Sequence, residues 1–158
     1  RSKASHFKNI LYGLANISPQ GSTDIAEVLV DLSERLPKRS MLILVSDFFI
    51  QNQDLQKSLK LLCSRDIEVV LFHVLHPDEI YLSFEGDIVF DCIETDLSIE
   101  LNPHDIQEEY QNEIQNHINS LKESCNGLGV DYVFLDTSDS LDQALCYYLM
   151  KRKSLVSL

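Results

Sequence analysis

Two short runs of consecutive apolar residues limit what this chain can fold into. The first covers residues 41–45 and the second covers residues 69–72. Each run is too short for a core helix. Neither run alternates apolar with polar residues, as a strand with one solvent-exposed face does. Both are therefore predicted to be strands of a parallel sheet, buried on both faces. Leu55, Leu59 and Leu62 form a helical stripe between the runs, which predicts a β-α-β crossover.

The remaining pattern alternates helices and strands in the same way. A long helix begins after Asn102 and Pro103 and is stopped by Gly127 and Gly129. The expected fold is a single α/β domain over residues 1–158, a three-layer Rossmann-like sandwich with a mostly parallel sheet and a small antiparallel excursion. The other predicted helices cover 5–17, 24–36 and 141–149, a third buried strand covers 131–135, and the excursion covers 80–82, 87–90 and 97–101.

Charge and composition exclude several functional classes. The 158 residues contain 13 Lys and Arg against 25 Asp and Glu, a net charge of −12, which disfavours a nucleic-acid partner. The longest aliphatic run is far shorter than the ~20 residues that span a bilayer, so we expect no membrane insertion. The N-terminal residues lack a signal-peptide pattern. The four cysteines form no CxxC pair, and we expect reduced, mostly buried thiols in a cytoplasmic protein.

Candidate ligands cluster where the predicted parallel strands end. Ligands of open parallel sheets bind beyond the carboxyl ends of the strands, which here carry Ser46, Asp47 and His73. Thr23 opens a predicted helix, and its hydroxyl together with the Asp47 carboxylate suits a divalent cation such as Mg²⁺. The alternative is structural: Thr23 caps its helix, and Asp47 accepts backbone N–H groups at a helix N-terminus.

Three other patterns have structural explanations that we favour. Residues 136–140 spell DxSxS. A run of Asp, Thr and Ser residues is also typical of a loop that leads into a helix cap. His73 and His76 form an HxxH pair at a strand end, where a metal is the less favoured interpretation. His117 lies on the apolar stripe of its helix and is expected to be a hydrogen-bonded core residue. Cys63 has no identifiable His partner for nucleophilic catalysis.

Several segments together resemble a known family. They are GSTDI at 21–25, KRSMLILVSDFF at 38–49, IEVVLFHVLHPDE at 67–79 and YVFLDT at 132–137. In this order they resemble the carboxyl-terminal part of the bacterial family catalogued as domain of unknown function fifty-eight. That family is similar to von Willebrand factor A (vWA) domains and is often encoded beside MoxR-type AAA+ ATPases.

The resemblance implies a partial vWA-like fold and a metal-ion-dependent adhesion site. Thr23 matches the threonine of that site, and Asp47 matches the aspartate after its fourth strand. The strand with the family's DxSxS motif is not found upstream, so we expect an incomplete site with weak Mg²⁺ binding or none. The strand at 41–46 would pair with that missing strand, and we expect its edge to be covered by a homodimer, by a rearranged N-terminal helix or by the absent segment. Some relatives have upstream membrane helices, and the sequence leaves open whether a full-length protein is membrane-anchored.

The resulting expectation is a non-enzymatic adaptor domain with no cofactor. Its expected partner is a MoxR-type AAA+ ATPase, contacted through Ser46, Asp47 and Phe48. One alternative is a metal-dependent enzyme or a phosphoacceptor domain that uses Asp47, although no second acidic pair or nearby lysine can be placed from the sequence. Another alternative is a structural subunit without a site.

Overall fold

The structure is a computed structural model that describes residues 4–18, 24–92 and 97–156. The helices are α1 (Ala4–Ala15), α2 (Ile25–Arg35), α3 (Asn52–Ser64), α4 (Pro77–Tyr81), α5 (Pro103–Leu128) and α6 (Leu141–Val156). The strands are β1 (Met41–Ser46), β2 (Glu68–Leu75), β3 (Ile88–Asp91), β4 (Ser98–Leu101) and β5 (Asp131–Asp136).

The main sheet is parallel, with β2 between β1 and β5. The register aligns Ser46 of β1 with His73 of β2 and Phe134 of β5. The carboxyl ends of the three strands therefore lie at the same end of the sheet. The second sheet is the antiparallel pair of β3 and β4. The expected α/β class, with a mostly parallel sheet and a small antiparallel excursion, is confirmed.

One face of the main sheet carries the larger core. Leu71 of β2 packs there with residues of α2, α3 and α5. The leucines that predicted α3 are all buried, as are Leu121 and Cys125 on α5. These helices form one outer layer of the sandwich, and burial of their apolar stripes explains why they form on this face.

The opposite face is only partly covered. Tyr148 of α6 packs against Val70 and Phe72 of β2. The side chains of β1 that share this face remain exposed, with Ile43 at 52% and Val45 at 67%. The expectation that β1 is buried on both faces is therefore wrong. Since β1 lies at the edge of the sheet, α6 covers the central strand and leaves the outer one to solvent.

The helix ends mostly follow the expected chemistry. The N-cap of α2 is Asp24 and not Thr23, which corrects the structural alternative for Thr23; the Asp24 side chain accepts a hydrogen bond from the backbone N–H of Glu27 at 3.2 Å. Asn102 caps α5 ahead of Pro103. Gly129 ends α5 with a φ of 70°, a conformation that glycine adopts without strain. Gly127 lies inside the helix, so only one of the two expected glycines stops it.

Two other expectations are corrected. Residues 80–82 were expected in an extended piece, but Ile80 and Tyr81 belong to α4 and Leu82 is its C-cap. Pro77 at the first helical position and a capping box between His76 and Glu79 favour the helix.

The cysteines are less buried than expected: Cys125 is buried and Cys63 half-buried, whereas positions 92 and 146 are exposed. No helix in the described ranges is long and apolar enough to span a membrane.

Candidate functional site

The carboxyl end of β1 turns sharply and is held by local hydrogen bonds. The Ser46 hydroxyl accepts a hydrogen bond from the backbone N–H of Phe48 at 3.1 Å and donates one to Asp47 Oδ1 at 3.2 Å. Asp47 Oδ1 also accepts from the backbone N–H of Phe49 at 3.4 Å. Asp47 thus accepts a backbone N–H, as the structural alternative predicted. That N–H belongs to a turn, since α3 begins at Asn52.

The two phenylalanines after Asp47 have opposite environments. Phe48 is fully buried in the main core and has a φ of 51°, in the left-handed region that L-residues rarely adopt. The neighbouring Phe49 ring is half-exposed. The strained backbone at Phe48 is what places one ring in the core and the next at the surface. Of the expected contact residues, Asp47 is exposed and Ser46 is half-buried, but Phe48 is buried and is not available to a partner, so that expectation is corrected. The exposed aromatic ring next to Asp47 belongs to Phe49.

Behind this turn lies a pair of histidines. His73 is fully buried, and its ring meets His117 of α5 edge-on, with ring centroids 5.7 Å apart. Phe49 stacks on His117, and Phe48 meets His73 edge-on. His73 Nδ1 lies 2.7 Å from the Tyr132 hydroxyl. The Nε2 atoms of both histidines are buried without a hydrogen-bond partner among the described residues, which differs from the hydrogen-bonded core residue expected at His117.

Burial keeps both imidazoles neutral near pH 7. Burial, and then the positive charge of His117, lower the pKa of His73 to about 4, while the carbonyl and carboxylate of Asp47 oppose this shift. Burial also lowers the pKa of His117. Burial raises the pKa of Tyr132, so its phenol stays protonated and can donate to His73 Nδ1. The carboxyl end of the sheet thus contains a cluster of uncharged rings, and the Asp47 carboxylate lies at the surface next to it.

The described residues do not form a complete magnesium site. Thr23 lies outside the described residues, so its placement beside Asp47 stays a prediction. Asp47 Oδ1 is already used by the turn. Across the described ranges, no group of three or more His, Cys, Asp or Glu side chains is arranged to hold a metal ion. Of the two expected ligands the described residues include only Asp47, so the adhesion-site metal that the resemblance implies stays a prediction.

The other sequence motifs are engaged in local structure. His76 caps α4 at the surface, whereas His73 points into the core, so the HxxH residues are not brought together. Asp136 Oδ1 accepts from the backbone N–H of Ser138 at 2.8 Å and from its hydroxyl at 2.6 Å. These bonds lower the pKa of Asp136. The DxSxS string is therefore a loop that leads into a helix, as favoured from the sequence.

The cysteines nearest the core are weak nucleophiles. Burial is the main cause that raises the pKa of Cys125 to about 11, and burial also raises the pKa of Cys63. A thiol becomes nucleophilic as the thiolate, and these shifts work against it.

A search against family models supplies the relationship that the geometry alone does not. The family described as Protein of unknown function DUF58 matches residues 1–120. This chain belongs to the DUF58 family. The resemblance stated from the sequence is confirmed, and the matched region includes β1, β2 and most of α5.

One solved structure similar to this DUF58 chain is the crystal structure of conserved hypothetical protein BatB from Bacteroides thetaiotaomicron. The two are 17% identical with a TM-score of 0.51, over 95% of this chain and 71% of that chain. At this identity the likeness shows a shared fold, in agreement with the expected α/β class. Comparison with curated proteins gives no significant match.

Sequence reasoning missed the aromatic surroundings of His73. Tyr132 and Phe134 lie two residues apart on β5, and both share the His73 face of the sheet. Their alternation along β5 was visible in the sequence. The contact with His117 was not, because it depends on where α5 crosses the sheet.

Proposed function

We propose that this DUF58 chain is a non-enzymatic interaction domain that acts as an adaptor, with a MoxR-type AAA+ ATPase as its partner. The observation that carries the proposal is the turn after β1, which presents the Asp47 carboxylate beside the exposed Phe49 ring. Exposed aromatic side chains are enriched among residues that dominate protein-protein binding. The choice of a MoxR-type ATPase rests on the family resemblance.

The proposed mechanism is recognition by a preformed surface. Stacking on His117 limits the motion of Phe49, and two hydrogen bonds fix Asp47, so little conformational entropy is lost when a partner binds. We propose that the surface acts without Mg²⁺, or with Mg²⁺ only weakly bound, because one Asp47 oxygen is already committed to the turn.

The outer edge of β1 supports a second part of the proposal. Among the described residues β1 pairs only with β2, and its exposed face carries Met41, Ile43 and Val45. An exposed apolar edge strand is a template for pairing with another strand. We propose that two copies of the chain pair through Met41–Ser46.

Binding to a MoxR-type ATPase from the same genome tests the adaptor proposal. Phe49→Ala should weaken the Kd at least about tenfold, since a packed aromatic anchor contributes ~2 kcal/mol or more. Asp47→Asn should weaken it by a smaller factor, because the amide oxygen can still accept the turn hydrogen bonds. Asp139→Asn, a carboxylate after β5 at the same sheet edge, is the matched control and should bind like the wild-type chain. Isothermal titration calorimetry measures all four.

Three outcomes would count against the proposal. Equal affinity of the wild-type chain and Phe49→Ala for the ATPase would mean that the surface formed by Asp47 and Phe49 does not take part in binding. Thermal unfolding with millimolar Mg²⁺ or Mn²⁺ addresses the alternative function, because a ligand of the folded state raises the midpoint. A clear shift that Asp47→Asn abolishes would favour a metal-dependent enzyme or a phosphoacceptor at Asp47, as would phosphorylation of Asp47 by a small phosphodonor.

A further inference from the structure

An apolar groove lies on a different part of the molecule, between α4, the β3–β4 hairpin and the first turns of α5. Its volume is about 430 Å³, within the range of known ligand and side-chain pockets. None of its residues belongs to the Asp47 surface. The groove is lined by Asp78, Glu79, Leu82, Phe84, Phe90, Ile99, Leu101, Ile106 and Tyr110.

Hydrogen bonds from α5 hold the groove in shape. Gln107 Nε2 and Gln111 Nε2 donate to the backbone carbonyl of Tyr81, at 3.0 and 2.8 Å. The Tyr110 hydroxyl donates to the carbonyl of Glu79 at 2.8 Å. These three hydrogen bonds join side chains of α5 to backbone carbonyl groups of α4. This part of the groove is therefore formed in the absence of a partner.

The hairpin offers its apolar face to the groove. Phe90 pairs with Ile99 across the two strands, and both line the groove. Ile99 is nevertheless 57% exposed. The opposite face of the hairpin carries Val89 and its cross-strand partner Glu100, which are not part of the lining. The groove is therefore an apolar surface that the described residues leave in contact with water.

The charge around the groove has a single sign. Between Arg65 and Lys122 the sequence contains fourteen Asp and Glu and no Lys or Arg. All the residues that line the groove lie within this segment. Asp78 and Glu79 stand in the lining itself. Such a field attracts cationic groups and repels anionic surfaces, including the nucleic-acid backbone.

We propose that this groove binds a short segment of another protein that inserts one or two large apolar side chains flanked by Lys or Arg. The apolar lining receives the inserted side chains, and the acidic residues of this segment attract the flanking cations. This assignment goes beyond the Asp47 surface and stands independently of it.

Two synthetic peptides test the proposal by fluorescence anisotropy. The first has leucine and phenylalanine at helical spacing with lysine at the other positions, and the second replaces every lysine by glutamate. The wild-type chain should bind the lysine peptide at least about tenfold more tightly, and added salt should weaken that binding. Ile99→Ser should weaken it at least about tenfold, whereas Val89→Ser, on the opposite face of the same hairpin, should not.

The design separates groove binding from general charge attraction. Both side chains are more than half exposed, so both variants should keep the wild-type thermal midpoint. Equal affinity for the two peptides, or equal binding by the two hairpin variants, would overturn the proposal. A peptide of residues 1–18, which has three basic and no acidic residues, is the third probe. If it binds and requires Ile99, a second copy of the chain is the occupant and the proposed partner is wrong.

Discussion

The neighbouring strands β1 and β2 have similar apolar sequences and opposite environments. β2 is buried on both faces over most of its length, whereas β1 has one half-buried face and one exposed face. β2 has a strand on each side and helices above and below it, while β1 pairs on one side among the described residues. The burial of a strand is thus decided by its neighbours, and hydrophobicity alone does not distinguish a central strand from an edge strand.

The largest expected effect on stability comes from His73, the buried residue of β2 that pairs with Ser46 of β1. The pKa of His73 is about 4 in the folded chain and ~6.5 in an unfolded chain. Between these values the unfolded state binds one more proton, so the free energy of unfolding decreases as the pH falls from ~6.5 to ~4. The total loss from this one group is about 3 kcal/mol. Urea unfolding at a series of pH values measures it.

The matched variant is His73→Gln, which cannot titrate and can still hydrogen-bond to the Tyr132 hydroxyl. Its unfolding free energy should depend less steeply on pH over this window, by up to ~1.4 kcal/mol per pH unit. Parallel curves for the two proteins would show that His73 is not buried in its neutral form.

Two valines on the same face of the sheet sharpen the comparison. Val70 of β2 is fully buried, and Val45 of β1 is 67% exposed. Val70→Ala should lower the free energy of unfolding by about 2 kcal/mol, through lost apolar burial and the cavity left behind. Val45→Ala should change it by less than ~0.5 kcal/mol. Chemical denaturation measures both, and a similar loss for the two variants would mean that β1 is covered in solution.

The smallest change in stability is expected at the centre of the exposed face of β1. Ile43→Lys should alter the free energy of unfolding by less than ~0.5 kcal/mol, because the side chain is already half in water. If copies pair through Met41–Ser46, the same change should convert a dimeric mass into a monomeric one, which light scattering detects. Val89→Lys, on another exposed strand, should leave the mass unchanged. A wild-type chain that is monomeric at all concentrations would contradict the pairing.

The sequence was sufficient to predict most of the fold. The apolar runs predicted β1 and β2 correctly, and the Asn102-Pro103 pair located the start of α5. The errors have physical causes. Residues 80–82 have strand-like composition, but Pro77 and the His76 cap begin a helix before them. The exposure of β1 depends on how far α6 reaches across the sheet, and no local pattern encodes that distance.

Less of the candidate site could be predicted. Asp47 was found because the carboxyl end of a parallel strand is a reliable place to look. The stacking of Phe49 on His117 joins residues far apart in the chain and depends on the angle at which α5 crosses the sheet. The opposite placement of Phe48 and Phe49 depends on a single left-handed backbone conformation, and Phe48 is not a residue type that signals one.

The one-sided pairing of β1 also affects how fast its backbone exchanges hydrogen with solvent. In an edge strand, alternate N–H groups point toward the neighbouring strand and the others point away from it. Amide protons that point away from β2 exchange without any opening of the sheet. Along β1, fast-exchanging amides are therefore expected to alternate with slow-exchanging ones. A strand or segment that docks on this edge would erase the alternation. Amide exchange along Met41–Ser46 is thus a direct readout of whether that edge is occupied.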